Sequence, residues 1–166
     1  MQSNWVLALR YVDTELERPR WRTTANYRVI PTLQLGLEYN PVAGEVGALA
    51  TWFVLTETER RPALFLGTSS DRIGSPKGTQ SYYLTAAKYL PLVHTSPYVS
   101  LNYSEWDNGW NVPIGANVEL GGGVSVQPMY DGHRTHLLAT YATNRLSFTL
   151  IWAWLERAGV AMSFGF

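Results

Sequence analysis

Val160-Ala161-Met162-Ser163-Phe164-Gly165-Phe166 puts a large apolar side chain at every second position, with small or polar groups between them. Successive side chains of a β-strand point to opposite faces, so Val160, Met162, Phe164 and Phe166 form one apolar face while Ala161, Ser163 and Gly165 form a small, polar-tolerant one. The same alternation recurs throughout the chain, broken at short intervals by Gly, Pro, Asn and Asp clusters, and helix-period patterns are scarce. An all-β fold follows.

At 166 residues the chain has the length of one domain, spanning 1–166. Thirteen basic and 13 acidic residues cancel, with no run of either sign, so a nucleic-acid partner is not expected. Without cysteine there are no disulfides, thiol catalysis or thiolate metal sites. No cofactor or metal motif stands out. Seven Trp and ten Tyr enrich the sequence in the residues that collect at membrane–water interfaces. No segment approaches the roughly 18 apolar residues of a membrane-spanning helix. Met1-Gln2-Ser3-Asn4 lacks the features of a signal peptide, so export implies a mature form with an added Met.

Working back from the ending, alternation and turn signals divide the chain into strands. They run Trp5 to Tyr11, Arg20 to Val29, Leu33 to Tyr39, Gly47 to Thr56, Pro62 to Ser69, Ser81 to Tyr89, Pro97 to Ser104, Pro113 to Leu120, Val124 to Tyr130, Arg134 to Thr143, Leu146 to Leu155 and Gly159 to Phe166. Asp13 to Pro19 reads as a charged loop. Alternation from Tyr27 to Tyr39 is continuous, but Pro31 lacks the N–H that a strand interior donates, so the chain is split there. The count is about twelve strands with about four residues per connection, and ten is the alternative. Eight would force loops that the turn signals contradict.

One face of these strands carries Arg10, Arg22, Arg28, Gln34, Glu38, Asn102, Asn117, Glu119 and Gln127, with Arg10, Arg22 and Arg28 expected near one another on the first two strands; the other face is almost wholly apolar. Bulk such as Phe148, Trp152 and Trp154 on many of twelve strands exceeds what one small barrel could pack inside, which puts the polar face in the lumen. Aromatic residues gather at strand ends: Trp5, Tyr11, Tyr27, Tyr39, Tyr103, Tyr130, Tyr141, Trp152, Trp154, Phe164 and Phe166 are assigned to the lipid-facing surface and its girdles. Gly47 to Thr56 and Ala63 to Leu66 fit less well, being apolar on both faces, and are read as lumen positions packed against a neighbour.

The alternating ending with its terminal Phe166 resembles the C-terminal strand of Gram-negative outer-membrane β-barrels. Tyr27-Arg28-x-x-Pro31-x-Leu33 is similar to their periplasmic turns. The resemblance implies a closed, antiparallel, up-and-down transmembrane barrel in the bacterial outer membrane, monomeric, with the bilayer and the barrel-insertion machinery as partners. An even strand number with both ends in the periplasm agrees with the split at Pro31.

Three polar clusters invite chemistry. Asp131-Gly132-His133-Arg134-Thr135-His136 reads as a hairpin tip rather than a metal site, since histidines three apart on a strand face opposite ways. Ser69-Ser70-Asp71-Arg72 lacks a hydrolase context, and His94 falls at the opposite rim. Glu105-Trp106-Asp107-Asn108-Gly109-Trp110-Asn111 has groups suited to calcium or a sugar, but it reads better as a rim loop. No catalytic residue is assigned. The leading expectation is a small passive pore with an arginine-containing lumen for ions or solutes. The alternatives are a non-conducting structural or assembly barrel for lipid or polysaccharide export, and a soluble ligand-binding barrel.

Overall fold

The computed structural model describes residues 4–166. The start at Met1 to Ser3 lies outside the described residues. Strand β1 (Trp5–Val12) leads through a one-turn helix, α1 (Glu17–Arg20), into β2 (Trp21–Ile30), β3 (Leu33–Asn40), β4 (Glu45–Leu55), β5 (Ala63–Ser70), β6 (Gln80–Ala87) and β7 (Thr95–Ser104). Next come the short β8 (Gly109–Asn111), then β9 (Ile114–Gly121), β10 (Val124–Tyr130), β11 (Thr135–Ala142), β12 (Leu146–Ala153) and β13 (Arg157–Gly165). Except at β8, consecutive strands pair antiparallel, and β1 pairs with β13, which closes the sheet into a barrel.

Both β8 and β9 pair with β7, so they are two lengths of one barrel strand interrupted at Val112-Pro113. Pro113 cannot donate to the ladder, but its carbonyl still accepts from Ser100 N at 2.8 Å. The barrel therefore has twelve strands. The expected loop Glu105 to Val112 contracts to a tight hairpin because Gly109, Trp110 and Asn111 resume pairing with Ser104, Tyr103 and Asn102. The expected loop Asp13 to Pro19 gains the helical turn. The chain reverses at Pro31-Thr32, as the proline predicts.

Cross-strand register fixes the faces. Arg10 lies opposite Arg22 on one side and Ala161 on the other, and all three point inward. Outside, Trp5 pairs with Tyr27 and Tyr11 with Trp21, with ring centroids 4.8 Å apart in both cases. Trp5, Tyr27, Tyr141, Phe148, Phe164 and Phe166 ring the end bearing the short turns. Tyr11, Trp21, Tyr39, Tyr82, Tyr103, Trp110, Tyr130 and Trp152 ring the other end. Between the rings the outer surface is aliphatic, including Leu7, Leu9, Leu37, Leu84, Leu101, Leu150, Val160 and Met162, each at least 40% exposed. Fully buried side chains are instead mainly polar: His136, Glu38, Asn40 and Ser104 accompany Val12. That is the reverse of a water-soluble barrel, which hides its apolar face.

Trp154 departs from its expected place on the outer surface. The chain turns at Trp154-Leu155, two residues earlier than its pattern suggests, with φ of 55° and 56°. Positive φ at both central positions is the conformation that matches the twist of a two-residue hairpin, although Asn and Gly usually supply it. Here the compensation is tertiary: Trp154 N donates to His136 Nδ1 at 3.0 Å and Trp154 Nε1 to the Ile73 carbonyl at 3.2 Å. The indole thus folds inward over the rim.

The apolar sector of β4 and β5 packs inside the barrel. Phe53 and Phe65 have centroids 5.0 Å apart, and Phe65 meets Tyr83 edge-on at 6.4 Å. Gly67 makes this possible, since a Cβ there would sit 2.6 Å from the Tyr83 hydroxyl and 2.1 Å from the Ala50 carbonyl.

Candidate functional site in the barrel lumen

The lumen near the α1 end is organised on Glu38, which is 1% exposed. β3 points it inward beside Arg22 of β2, whose Nη2 lies 2.6 Å from Glu38 Oε2. Asn40 Nδ2 and Ser70 Oγ also donate to the carboxylate, each at 2.9 Å. A carboxylate enclosed to this degree is retained only when its oxygens are satisfied by a charge partner and donors, as they are here.

Above this layer, the segment between β5 and β6 folds over the lumen. Arg18, 6% exposed, is its anchor: Nη1 donates to Ser75 Oγ, the Pro76 carbonyl and Thr79 Oγ1, each at 2.9 Å, and Nη2 donates to the Thr79 carbonyl at 2.7 Å. Its Nε lies 3.0 Å from Glu45 Oε2 as an ion pair, though not aligned for a hydrogen bond. Pro19 follows inside the helical turn, and the turn directs Arg18 inward from a segment that reads as a solvated loop.

Farther round the rim, Arg72 forks onto Asp107, with Nη1–Oδ2 at 2.6 Å and Nη2–Oδ1 at 3.0 Å, while its guanidinium lies 4.0 Å from the Trp106 ring centroid. His133 Nε2 also reaches Asp107 Oδ2 at 2.7 Å. The hydrogen bonds from Arg72, reinforced by its charge and by His133, outweigh partial desolvation and hold the Asp107 carboxyl below its ordinary pKa. A carboxyl whose folded pKa is depressed stabilises the fold above its unfolded value, about 3.9, and that contribution is lost as pH falls through the folded pKa. Acidification across that interval is expected to speed amide exchange in residues 71–79 relative to the intrinsic rate at each pH, measured as falling protection factors by hydrogen exchange at successive pH values. Asp107→Asn is expected to show the faster exchange already at neutral pH.

His136 is fully buried, and its Nε2 lies 2.7 Å from Asp131 Oδ2. Since Nδ1 accepts from Trp154 N, the ring is the Nε2–H tautomer with both nitrogens engaged. Burial acts to raise the Asp131 carboxyl pKa. Donation from His136 and from the backbone N–H groups of Arg134 and His133 more than offsets this and holds it below the usual value. With no free ring nitrogen, this pair pins the β12–β13 turn. His133 and His136 point to different places, and among the described residues no three metal-ligating side chains converge.

The other expected lumen residues divide by depth. Asn102 joins Asn111 at 3.2 Å near the α1 rim, and Gln127 lies beside Tyr98. Arg28 and Gln34, opposite one another, line a recess of about 380 Å³ at the short-turn end with Pro31, Phe53 and Glu57. Thus Arg28 is far along the barrel from the Arg10–Arg22 pair rather than clustered with it. Asn117 is half-buried, while Glu119 is exposed at that same rim, where its carboxylate accepts from the Tyr89 hydroxyl at 3.2 Å. The Glu105 to Asn111 cluster is spent internally: Glu105 accepts from Gln80 N and the Tyr82 hydroxyl, and Asn108 from the Tyr103 hydroxyl. Sequence reading missed Arg18, Asn40, Asp71, Ser104 and His136 as interior groups. Asn40 and Ser104 carried a usable signal, each lying two residues along the same strand face from an expected lumen residue, Glu38 and Asn102.

The fold and lumen define a closed, twelve-stranded, antiparallel up-and-down barrel with an apolar exterior and a polar, partly filled interior. No family model and no curated protein matches the chain.

Proposed function

We propose that the chain is an integral outer-membrane barrel, a monomer, whose polar lumen is a narrow passage for small ions or solutes. The observation that supports this most is the inverted distribution of its side chains: an aliphatic outer band between two aromatic rings, and charged groups within. Closed barrels leave no backbone N–H or C=O unpaired toward lipid, and aromatic side chains favour the two interfaces. On this reading β13 (Arg157–Gly165), with Phe166 after it, is the element offered to the insertion machinery.

A second reading, a non-conducting structural or assembly barrel, is favoured by one specific feature. The Arg18-anchored segment and the enclosed Glu38, Asn40 and His136 narrow the lumen at the α1 end. Planar-bilayer recording separates the two. The passage predicts discrete current steps, with Arg18→Met increasing their frequency or size by loosening residues 75–79; silence from folded protein, wild type and variant alike, overturns it in favour of the closed barrel.

A further inference from the structure

The arginines at the α1 end of the barrel are not equally served. Arg22 has Glu38, Arg18 has Glu45, and Arg72 has Asp107. Arg10, directly across from Arg22, has no hydrogen bond or ion pair among the described residues, and its Nε is enclosed without an acceptor. Like charges facing one another across a strand pair are unfavourable, and an enclosed N–H without an acceptor is costly. The neighbour of Arg10 on the other side is Ala161, with Thr149 beyond it, so small side chains leave open space there. The result is a cavity of about 390 Å³, the size of small-ligand sites.

The rest of the cavity wall fixes the class of occupant. Leu138, Ile151 and Met129, on β11, β12 and β10, make one side apolar, and Ala161 lies between β12 and Arg10. Glu38, Asp71 and Asp131 also line it, which disfavours a multiply charged anion. The Asp71 and Asp131 oxygens are already taken up by Ser104 Oγ, Trp106 N and Arg72 N, and by His136, His133 N and Arg134 N. Unlike the enclosed Nε, the two terminal nitrogens of Arg10 are open to this space, and together they present N–H groups in the fork that a carboxylate accepts. We infer that Arg10 and this cavity form a binding site for a monocarboxylate with a compact apolar body, the carboxylate on the Arg10 fork and the body against Leu138 and Ile151. The inference rests on the barrel and its lumen, not on conductance.

The test uses the full chain folded in detergent, with benzoate as the probe, benzamide as its uncharged counterpart and inorganic phosphate as the multiply charged one, each titrated by calorimetry. Saturable benzoate binding is expected, weaker by about tenfold or more for benzamide and for phosphate. Arg10→Gln is expected to lose binding by a similar factor. Ala161→Leu, which keeps the charge but fills the space beside it, is expected to do the same; it decides the matter should Arg10→Gln fail to fold by heat-modifiable gel mobility. Arg145→Gln, on an exposed turn, is expected to bind as wild type. No saturable benzoate heat, equal affinity for benzamide, preference for phosphate, or unaltered binding in folded Ala161→Leu overturns the site. A barrel that binds benzoate without passing current removes the passage and leaves the site; current without benzoate binding does the opposite.

Discussion

Leu150→Arg is expected to destabilise the barrel by about 2–4 kcal/mol in a bilayer, measured by reversible denaturant unfolding from lipid vesicles. Leu150 is 66% exposed in the middle of β12, flanked by Ala139 and Val160 on the adjoining strands. On a water-washed surface such an exposed leucine could become arginine with a change within about 0.5 kcal/mol. In a lipid-facing band the guanidinium must instead be drawn toward an interface or take water with it. Depth makes the effect diagnostic: Leu92→Arg, at a 97% exposed position in the β6–β7 turn, is expected to cost no more than about 1 kcal/mol. Equal, small costs at both positions would remove the lipid from the explanation.

The second large effect belongs to Arg18. Arg18→Met keeps the length of the side chain but withdraws its donors from Ser75, Pro76 and Thr79 and its charge from Glu45. Removing one partner of a buried pair typically costs about 3–5 kcal/mol, because the other partner stays behind uncompensated. The loss should concentrate in residues 71–79, where few apolar contacts replace the arginine. Trypsin cleavage after Arg72 and Lys77 is therefore expected to accelerate strongly in the variant while the strands stay intact. Unchanged cleavage would mean that Arg72–Asp107 and Trp154–Ile73 hold the segment without Arg18.

The barrel was legible because a two-residue period survives any detail of packing. Leu7, Leu9, Tyr27, Leu35, Phe148 and Met162 alternate with smaller or polar partners, and closure of β1 on β13 follows once the last strand has the same facing as the first. Pro31 was legible for a chemical reason, its missing N–H. The rim was not. Trp154 leaves its strand because His136 and Ile73 supply partners that are 18 and 81 residues away in sequence. Arg18 sits in a charged segment that reads as solvated, and only the folded segment 75–79 shows what it binds. The grouping of Arg10, Arg22 and Arg28 failed for a geometric reason: Arg10 and Arg22 share a layer, whereas Arg28 is six residues farther along β2 and pairs with Gln34. A shared face says nothing about height within the barrel.

The membrane assignment is tested most directly by diluting urea-unfolded protein into plain buffer and, in parallel, into lipid vesicles, and reading heat-modifiable gel mobility together with β circular dichroism. The structure predicts a compact, heat-modifiable species only with lipid, because the aliphatic belt and both aromatic rings lie on the outside. A monodisperse, fully β-structured monomer in plain buffer would contradict it.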